Sequence, residues 1–423
     1  AFLIPAVWVY AKSTEAFTPV WEQWEGMKES ATGIMCQTLI NVRSVQAFVQ
    51  EKHEMERHTR LRDAMHDLDL DQCLRSQKYT CAMEVFLKFG FVAMIGTEFL
   101  FAVWGTSTIG SVTFVALTGT YIVGNVTQIV QVYTRIMRFL VAAERMKGVL
   151  DEEVGVADTH ADSVPETCGE GTFRFADVTF AYGEGNSILN DFSLTMRRGD
   201  MVALVGKSGS GKSTVAKLLA RVCDPTEGAV LLDGRPAWEF SRDWYRRLFA
   251  TVHQDVEIFD GTIRENVAYA YPDVSEELVW EALRAAHLSE TITNAQRFEK
   301  GIETEVGERG VQLSGGERQR VGIARAYVAL RSGAKVLILD EATSSLDSQA
   351  ERAIQEVIET LKREQSISIL AIAHRLSTIR RADTIYVLDS GRVSEMGDHA
   401  QLLKQNGLYA RLVELQELGE LRE

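Results

Sequence analysis

Residues 206–214, GKSGSGKST, have types and spacing that can hold phosphate. They follow a strand-like run, MVALV, and precede a helical one, VAKLLARV, the setting of the P-loop pattern G-x-x-x-x-G-K-[ST]. Gly206, Gly209 and Gly211, with Lys207, Ser208 and Ser210 between them, let successive backbone N–H groups curl around phosphate oxygens. Lys212 adds a point charge for the β- and γ-phosphates, the Ser213 hydroxyl can ligate Mg²⁺, and Thr214 closes the motif. A second stretch, KVLILDEATSSLD (335–347), is an apolar strand ending in Asp340, placed to hold Mg²⁺ through water. Glu341 follows it, suited to orient or deprotonate an attacking water. A third, VQLSGGERQR (311–320), sets a serine before two glycines and then charged and amide side chains, like the mouth of another helix. The open N–H groups of a helix start favour anions, so one chain carries two phosphate-reading helix starts.

Such loops need a scaffold that delivers strand ends and helix starts to one place. Short β-rich runs (TFRFADVTF, MVALVG, KVLILD, SISILAIA, TIYVLD) alternate with helical stretches, which argues for an α/β domain with a largely parallel core. Ahead of it, DEEVGVADTHADSVPET (151–167) is acidic, has little apolar patterning and carries the first proline since Pro19. It reads as a linker. The expected division is therefore 1–150, a linker over 151–171, and a domain over 172–423.

The first 150 residues are different in kind. Residues 99–134 contain no charged residue, and GTSTIG in their middle has turn composition. The expectation is two membrane helices, from about Val85 to Trp104 and from about Val112 to Tyr133, meeting at a short exterior loop. Arg135, Arg138, Arg145 and Lys147 then stand against the single acid Glu144, which puts that end and everything after it in the cytosol. The competing reading is a buried hairpin of a large soluble protein. Glu84, Lys88 and Glu98 share one helix face at about 100° per residue. They either line a cavity that meets cargo or form a Glu84–Lys88 pair near the interface plus one packed carboxyl. Residues 12–80 read as long, charged and helical, and His53, His58 and His66 lack the i, i+4 spacing of a helical metal pair. The opening run AFLIPAVWVYA is about half a membrane span and reads as the end of a helix.

Residues 1–150 hold 14 Lys/Arg and 14 Asp/Glu, so the whole net charge of −14 lies beyond them. An acidic half with no basic cluster argues against nucleic acid as a partner. The five cysteines show no CxxC pair, which fits reduced thiols and neither a disulfide framework nor a zinc site.

On these motifs, residues 172–412 resemble the nucleotide-binding domain of an ATP-binding cassette (ABC) transporter. LSGGERQR resembles the family's signature sequence. By the resemblance Tyr182 is the aromatic that stacks on adenine, Gln254 contacts Mg²⁺ and the membrane domain, and His374 touches the γ-phosphate. Asp347 belongs to the loop crossing to the partner subunit, and TEVGERG (304–310) to the segment that leans on the membrane domain. Ser314, Gly315, Gly316 and Glu317 would cap the γ-phosphate of the ATP held by the opposite subunit. The first 150 residues are similar in arrangement to exporters with six spanning helices and one cassette, here from late in the fourth helix, with a coupling helix over roughly 28–36. Two departures stand out: SSLD replaces the commoner SALD, and Glu317 stands where an amide is usual. Glu317 either weakens attraction to the nucleotide or pairs with Arg318 or Arg320.

The fold class implied is a helical membrane-domain fragment followed by an α/β P-loop NTPase cassette with a helical subdomain. The implied function is an ATP-hydrolysing exporter subunit using ATP and Mg²⁺, working with a second half-transporter subunit, in contact with membrane lipid, on an unidentified cargo. It would be a multi-pass protein of the plasma (inner) membrane with its cassette in the cytosol. The alternative is a soluble or regulatory ABC-type ATPase that does not act in transport.

Overall fold

A computed structural model describes residues 23–152, 155–156, 169–183, 185–307, 310–340, 360, 362, 366–372 and 375–420. The chain divides into two compact units, Ala1–Glu152 and Glu153–Glu423.

The first unit is helical throughout its described part. Helix α1 covers 23–40, α2 Val42–Ala47, α3 Glu51–Val103 and α4 Ile109–Leu150. No proline interrupts 20–164, so nothing removes a backbone donor from these long ladders. Residues 28–36 lie inside α1. At 53 residues α3 runs about 80 Å at 1.5 Å per residue, far beyond the roughly 30 Å of a bilayer's hydrocarbon core. The charged stretch and the apolar stretch, separate in the sequence reading, are thus one continuous helix. Part of α3 is apolar enough to cross a membrane, and Ile109–Ile122 of α4 forms a shorter apolar segment.

The turn falls at 104–108, and α4 begins three residues before the expected position because Thr108 caps it, its side chain accepting from the Ser111 N–H. The two helices approach closely at Gly119. A Cβ there would come within 2.6 Å of the Phe91 ring and 2.8 Å of Met94, so a larger residue would have to displace those side chains. Phe86, Phe89, Val92, Phe99, Phe114, Leu117 and Tyr121 are exposed, an apolar surface suited to lipid. Glu84 and Lys88 form an i, i+4 ion pair at 2.8 Å, both side chains half exposed or more. A paired acid and base on one helix face is compatible with both alternatives, the interfacial pair and the cavity lining.

The second unit is built on two sheets. Its elements in chain order begin with β1 (Phe173–Phe180), β2 (Leu189–Met196), β3 (Met201–Gly206), α5 (Lys212–Leu219), β4 (Glu227–Leu232), β5 (Arg235–Pro236), α6 (Arg242–Arg247) and β6 (Phe249–Val252). There follow α7 (Ile263–Val267), α8 (Glu276–Ala285), α9 (Ser289–Ile292), α10 (Gly315–Arg331), β7 (Val336–Asp340), β8 (Ser368–Ile372), α11 (Leu376–Ile379), β9 (Thr384–Asp389), β10 (Arg392–Gly397), α12 (His399–Gln405) and α13 (Leu408–Glu420). An antiparallel sheet has the order β2-β1-β4-β5, and a six-stranded sheet the order β10-β9-β3-β8-β7-β6. In the larger sheet all pairings are parallel except that of the edge strand β10 with β9.

Parallel strands covered on both faces read as unbroken apolar runs, which is why MVALV, VLIL and SILAI show no alternation in sequence. In space they do alternate. Ala203, Val205, Leu337, Leu339, Ile369 and Ala371 join one core, shared with α8 and α10. Val202, Leu204, Val336, Ile338, Leu370 and Ile372 join the other, shared with α5 and the antiparallel sheet. Successive side chains of a strand point to opposite faces, so one sheet feeds two cores. At about 25 cal/mol per Å² of apolar area removed from water, each buried Leu, Ile or Val contributes about 1.5–3 kcal/mol, and these cores are what hold the loops at the sheet edge in place.

Candidate functional site

The strand order β3-β8-β7-β6 places four strand ends side by side. The register Leu204↔Ile372, Ile372↔Asp340 and Leu339↔Val252 makes those ends level, and all four strands point the same way. The C-terminal edge of such a sheet is where α/β proteins bind ligands. Here it delivers residues 206–214 after β3, Gln254 two residues after β6, and Asp340 as the last residue of β7. Gln254 is exposed on a bend. Arg325 of α10 steadies the loop beyond it, donating to the carbonyls of Glu257 and Asn266 while its guanidinium lies 5.4 Å from the Tyr269 ring centre. Glu341, Asp347 and His374 lie outside the described residues.

Gly211 is the N-cap of α5 and has φ +101°, and a Cβ on it would come within 2.7 Å of Leu189 Cδ2. Only glycine allows this left-handed entry, which turns the loop so that the first amides of α5 face its centre. Lys212 is buried, and its Nζ donates to the carbonyls of Gly206 (2.8 Å) and Lys207 (2.9 Å). The ammonium is therefore already inside the loop. Ser210 Oγ is buried with no hydrogen-bond partner among the described residues. Buried hydroxyls are rarely left so, and a phosphate oxygen is an acceptor that would suit it. Ser213 Oγ lies 3.4 Å from Asp340 Oδ1, although 127 residues separate them. A hydroxyl and a carboxylate converging beside a phosphate cradle form an oxygen donor set suited to Mg²⁺. Tyr182 is half exposed, its ring edge-on to Phe180 with centres 4.9 Å apart. Lys217 of α5 reaches over it, Nζ 5.6 Å from the ring centre, which ties the aromatic to the helix that follows the glycine-rich loop.

The other helix start is built independently. Ser314 is the N-cap of α10, its side chain accepting from the Glu317 N–H, and the Glu317 carboxylate accepts from the Ser314 N–H at 2.7 Å. This reciprocal capping box satisfies two donors that a helix start otherwise leaves open. Glu317 is buried, and its partner is neither Arg318 nor Arg320. Arg297, from the loop after α9, grips it with Nη1 to Oε1 at 2.5 Å and Nη2 to Oε2 at 2.8 Å. Arg318 instead turns back to the Leu313 carbonyl at 3.0 Å. Burial pushes the Glu317 carboxyl up, but the Arg297 and Ser314 hydrogen bonds outweigh it and hold the group below its ordinary value. The hydrogen bond to Glu317 in turn raises the Arg297 guanidinium. The structure thus brings Ser213 to Asp340 and Tyr182 to α5. The signature residues are held within the helical part of the unit.

Sequence reasoning missed Arg297 and Lys217. Neither belongs to a motif; the only signal for Arg297 was an acid at 317 that would need a cation nearby.

The ABC transporter family profile matches residues 189–344. Among curated relatives, the "ATP-dependent lipid A-core flippase" of Burkholderia pseudomallei (strain 1710b) is 45% identical over 284 residues, 66% of this chain and 46% of the relative. That of Cupriavidus metallidurans (strain ATCC 43123) is 34% identical over 429 residues, 98% of this chain and 69% of the relative. The chain spans about half the length of the Burkholderia relatives it matches. Among solved structures, a bacterial Atm1-family ABC exporter with ATP bound superposes with a TM-score of 0.89 at 32% identity, covering 98% of this chain and 71% of that one.

Proposed function

The chain belongs to the ABC transporter family, in its exporter branch, and from that premise we propose that it is an ATP-hydrolysing subunit of an exporter in the inner membrane. The observation that carries this reading is the convergence of Lys212, Ser213 and Asp340 at one sheet edge, with a second anion-suited helix start on a separate part of the same unit. Residues 206–214 hold the triphosphate through backbone amides and the Lys212 ammonium, and Tyr182 stacks on the adenine. Ser213, Asp340 and Gln254 would hold Mg²⁺, which neutralises phosphate charge when bound. Glu341 takes the proton of the attacking water, His374 orients the γ-phosphate, and Asp347 faces the second subunit. Ser314, Gly315 and Gly316 meet the phosphate held by that second subunit, of the same or a related chain. ATP binding favours closure of two cassettes on two ATP molecules, and hydrolysis releases it. Two or more spans on each subunit, with the cassette in the cytosol, follow from the same reading. The relatives' name supports an amphiphilic lipid as the first cargo to test.

The deciding experiment measures ATP hydrolysis by the chain in lipid nanodiscs as its density per disc is varied. Activity that needs two chains per disc and Mg²⁺ is expected. Hydrolysis at full specific rate from discs holding a single chain would refute the two-subunit site, and no hydrolysis at all would favour the regulatory alternative.

A further inference from the structure

We propose that Arg297 is a positioning residue for hydrolysis: its two-pronged grip cancels the charge of Glu317, so that a helix start carrying an acid can still meet phosphate. This rests on the reading that Ser314–Gly316 contact the nucleotide of a second subunit.

VQLSGGERQR sets two requirements against each other. Glu at the third helical position suits the helix itself, because it closes the capping box with Ser314 and favours the positive end of the helix dipole. It does not suit a phosphate, because it sets a full negative charge one residue from the two glycines whose amides would meet the anion. Water cannot screen that charge, since the Glu317 side chain is buried. Left alone, the carboxylate would repel what the amides attract.

Arg297 removes the conflict in a way that a lysine could not. Its Nη1 and Nη2 reach both carboxylate oxygens, at 2.5 and 2.8 Å, which is the planar fork that guanidinium alone presents. The same Nη2 donates to the Gln312 carbonyl at 2.9 Å. One side chain therefore ties the residues on both sides of Ser314, fixing the direction in which the glycine amides point. Its own placement is supported from two directions. The guanidinium lies 5.0 Å from the Phe298 ring centre, and the Arg297 N–H donates to the Asn294 carbonyl. Arg297 is about half exposed while Glu317 is not, so the cation can lose its partner cheaply and the anion cannot. The two substitutions are consequently unequal, and that asymmetry is the signature to measure.

The test uses the full chain in lipid nanodiscs with R297M, which keeps the length of the side chain, E317Q, the double variant R297M/E317Q, and R297K. At low salt R297M is expected to raise the KM for ATP at least ten-fold. E317Q should lower the KM two- to three-fold, and R297M/E317Q should return it to within three-fold of wild type. R297K, charged but without the fork, should fall between. A purely structural tie to Gln312 would leave the double variant as impaired as R297M, and that result would overturn the proposal, as would a wild-type KM in R297M. If R297M does not fold, R297Q takes its place with the same expected outcomes. Amide hydrogen exchange over 311–318 without nucleotide, expected to quicken in R297M, tests the grip separately from turnover. Unchanged exchange would overturn the grip, whereas a wild-type chain that hydrolyses nothing would instead sink the reading of function.

Discussion

Replacing Lys212 by Met separates what the P-loop lysine does for the fold from what it does for the ligand. The ammonium is buried and held by the Gly206 and Lys207 carbonyls at 2.8 and 2.9 Å. Methionine has similar length and removes only the charged head. In the free protein two opposing effects follow: two hydrogen bonds from a charged donor are lost, while a desolvated ammonium no longer has to be kept from water. These offset, so the free protein should change in stability by about 1 kcal/mol or less, a Tm shift of about 2–4 °C for a unit of this size. With ATP present the loss is larger than the offset. Charge-assisted bonds to the β- and γ-phosphates are worth about 1.5–3 kcal/mol each, about 3–6 kcal/mol together, and the carbonyl contacts that the lysine gives up to make them offset part of that, leaving about 2–4 kcal/mol. At 1.4 kcal/mol per decade this is about a 30- to 700-fold rise in Kd. Titration with a fluorescent ATP analogue and a thermal melt, run on the same preparation, read the two effects. A Kd within three-fold of wild type would refute the assignment of Lys212 to the phosphates. A melt lowered by 10 °C or more would refute the balance of terms in the free state.

Three further outcomes are expected. Glu341→Gln should retain ATP binding and lose hydrolysis by about 100-fold or more, the usual worth of a general base; turnover near the wild-type rate would remove Glu341 from that role. Ser314→Arg should abolish hydrolysis while single-site ATP binding survives, and loss of binding by the isolated chain would contradict a role at the second subunit's phosphate. His399 packs its Nδ1 2.7 Å from the Tyr409 hydroxyl. Burial and then Arg380 hold its pKa below 6.5, against weaker opposition from Glu417 and Asp398. The folded state therefore favours the neutral ring, and stability complete above pH 6.5 should fall as pH drops below it. His399→Gln should flatten the melting temperature between pH 6.5 and 5, and an unchanged slope would exclude this histidine as its source.

The extent to which the chain was legible differs by kind of feature. MVALVG, KVLILD and TIYVLD were readable as strands because both faces are covered and the apolar run is unbroken. Their order in the sheet was not, since β3 lies between β9 and β8 and nothing in an unbroken run says which neighbour it takes. The antiparallel sheet was also hidden beyond TFRFADVTF, because β2, β4 and β5 are short or irregular and β1 is bulged against both of its neighbours. The long helices were expected, but as separate cytosolic and membrane pieces; α3 joins them because no residue between 51 and 103 breaks the ladder.

By itself the sequence determined the local chemistry. Residues 206–214, set between a strand and a helix, have the residue types and spacing of the P-loop pattern, and Ser314 with Glu317 has the types and spacing of a capping box. Those properties depend on residues within a turn or two of each other, and the backbone enforces them. The tertiary structure decided the pairings that cross the chain: Ser213 with Asp340 across 127 residues, and Arg297 with Glu317 across 20. No period or motif marks such pairs, because they arise only when the fold brings segments that are distant in sequence together. Glu317, an odd letter in a familiar motif, acquired its meaning only through the arginine that the fold brings to it.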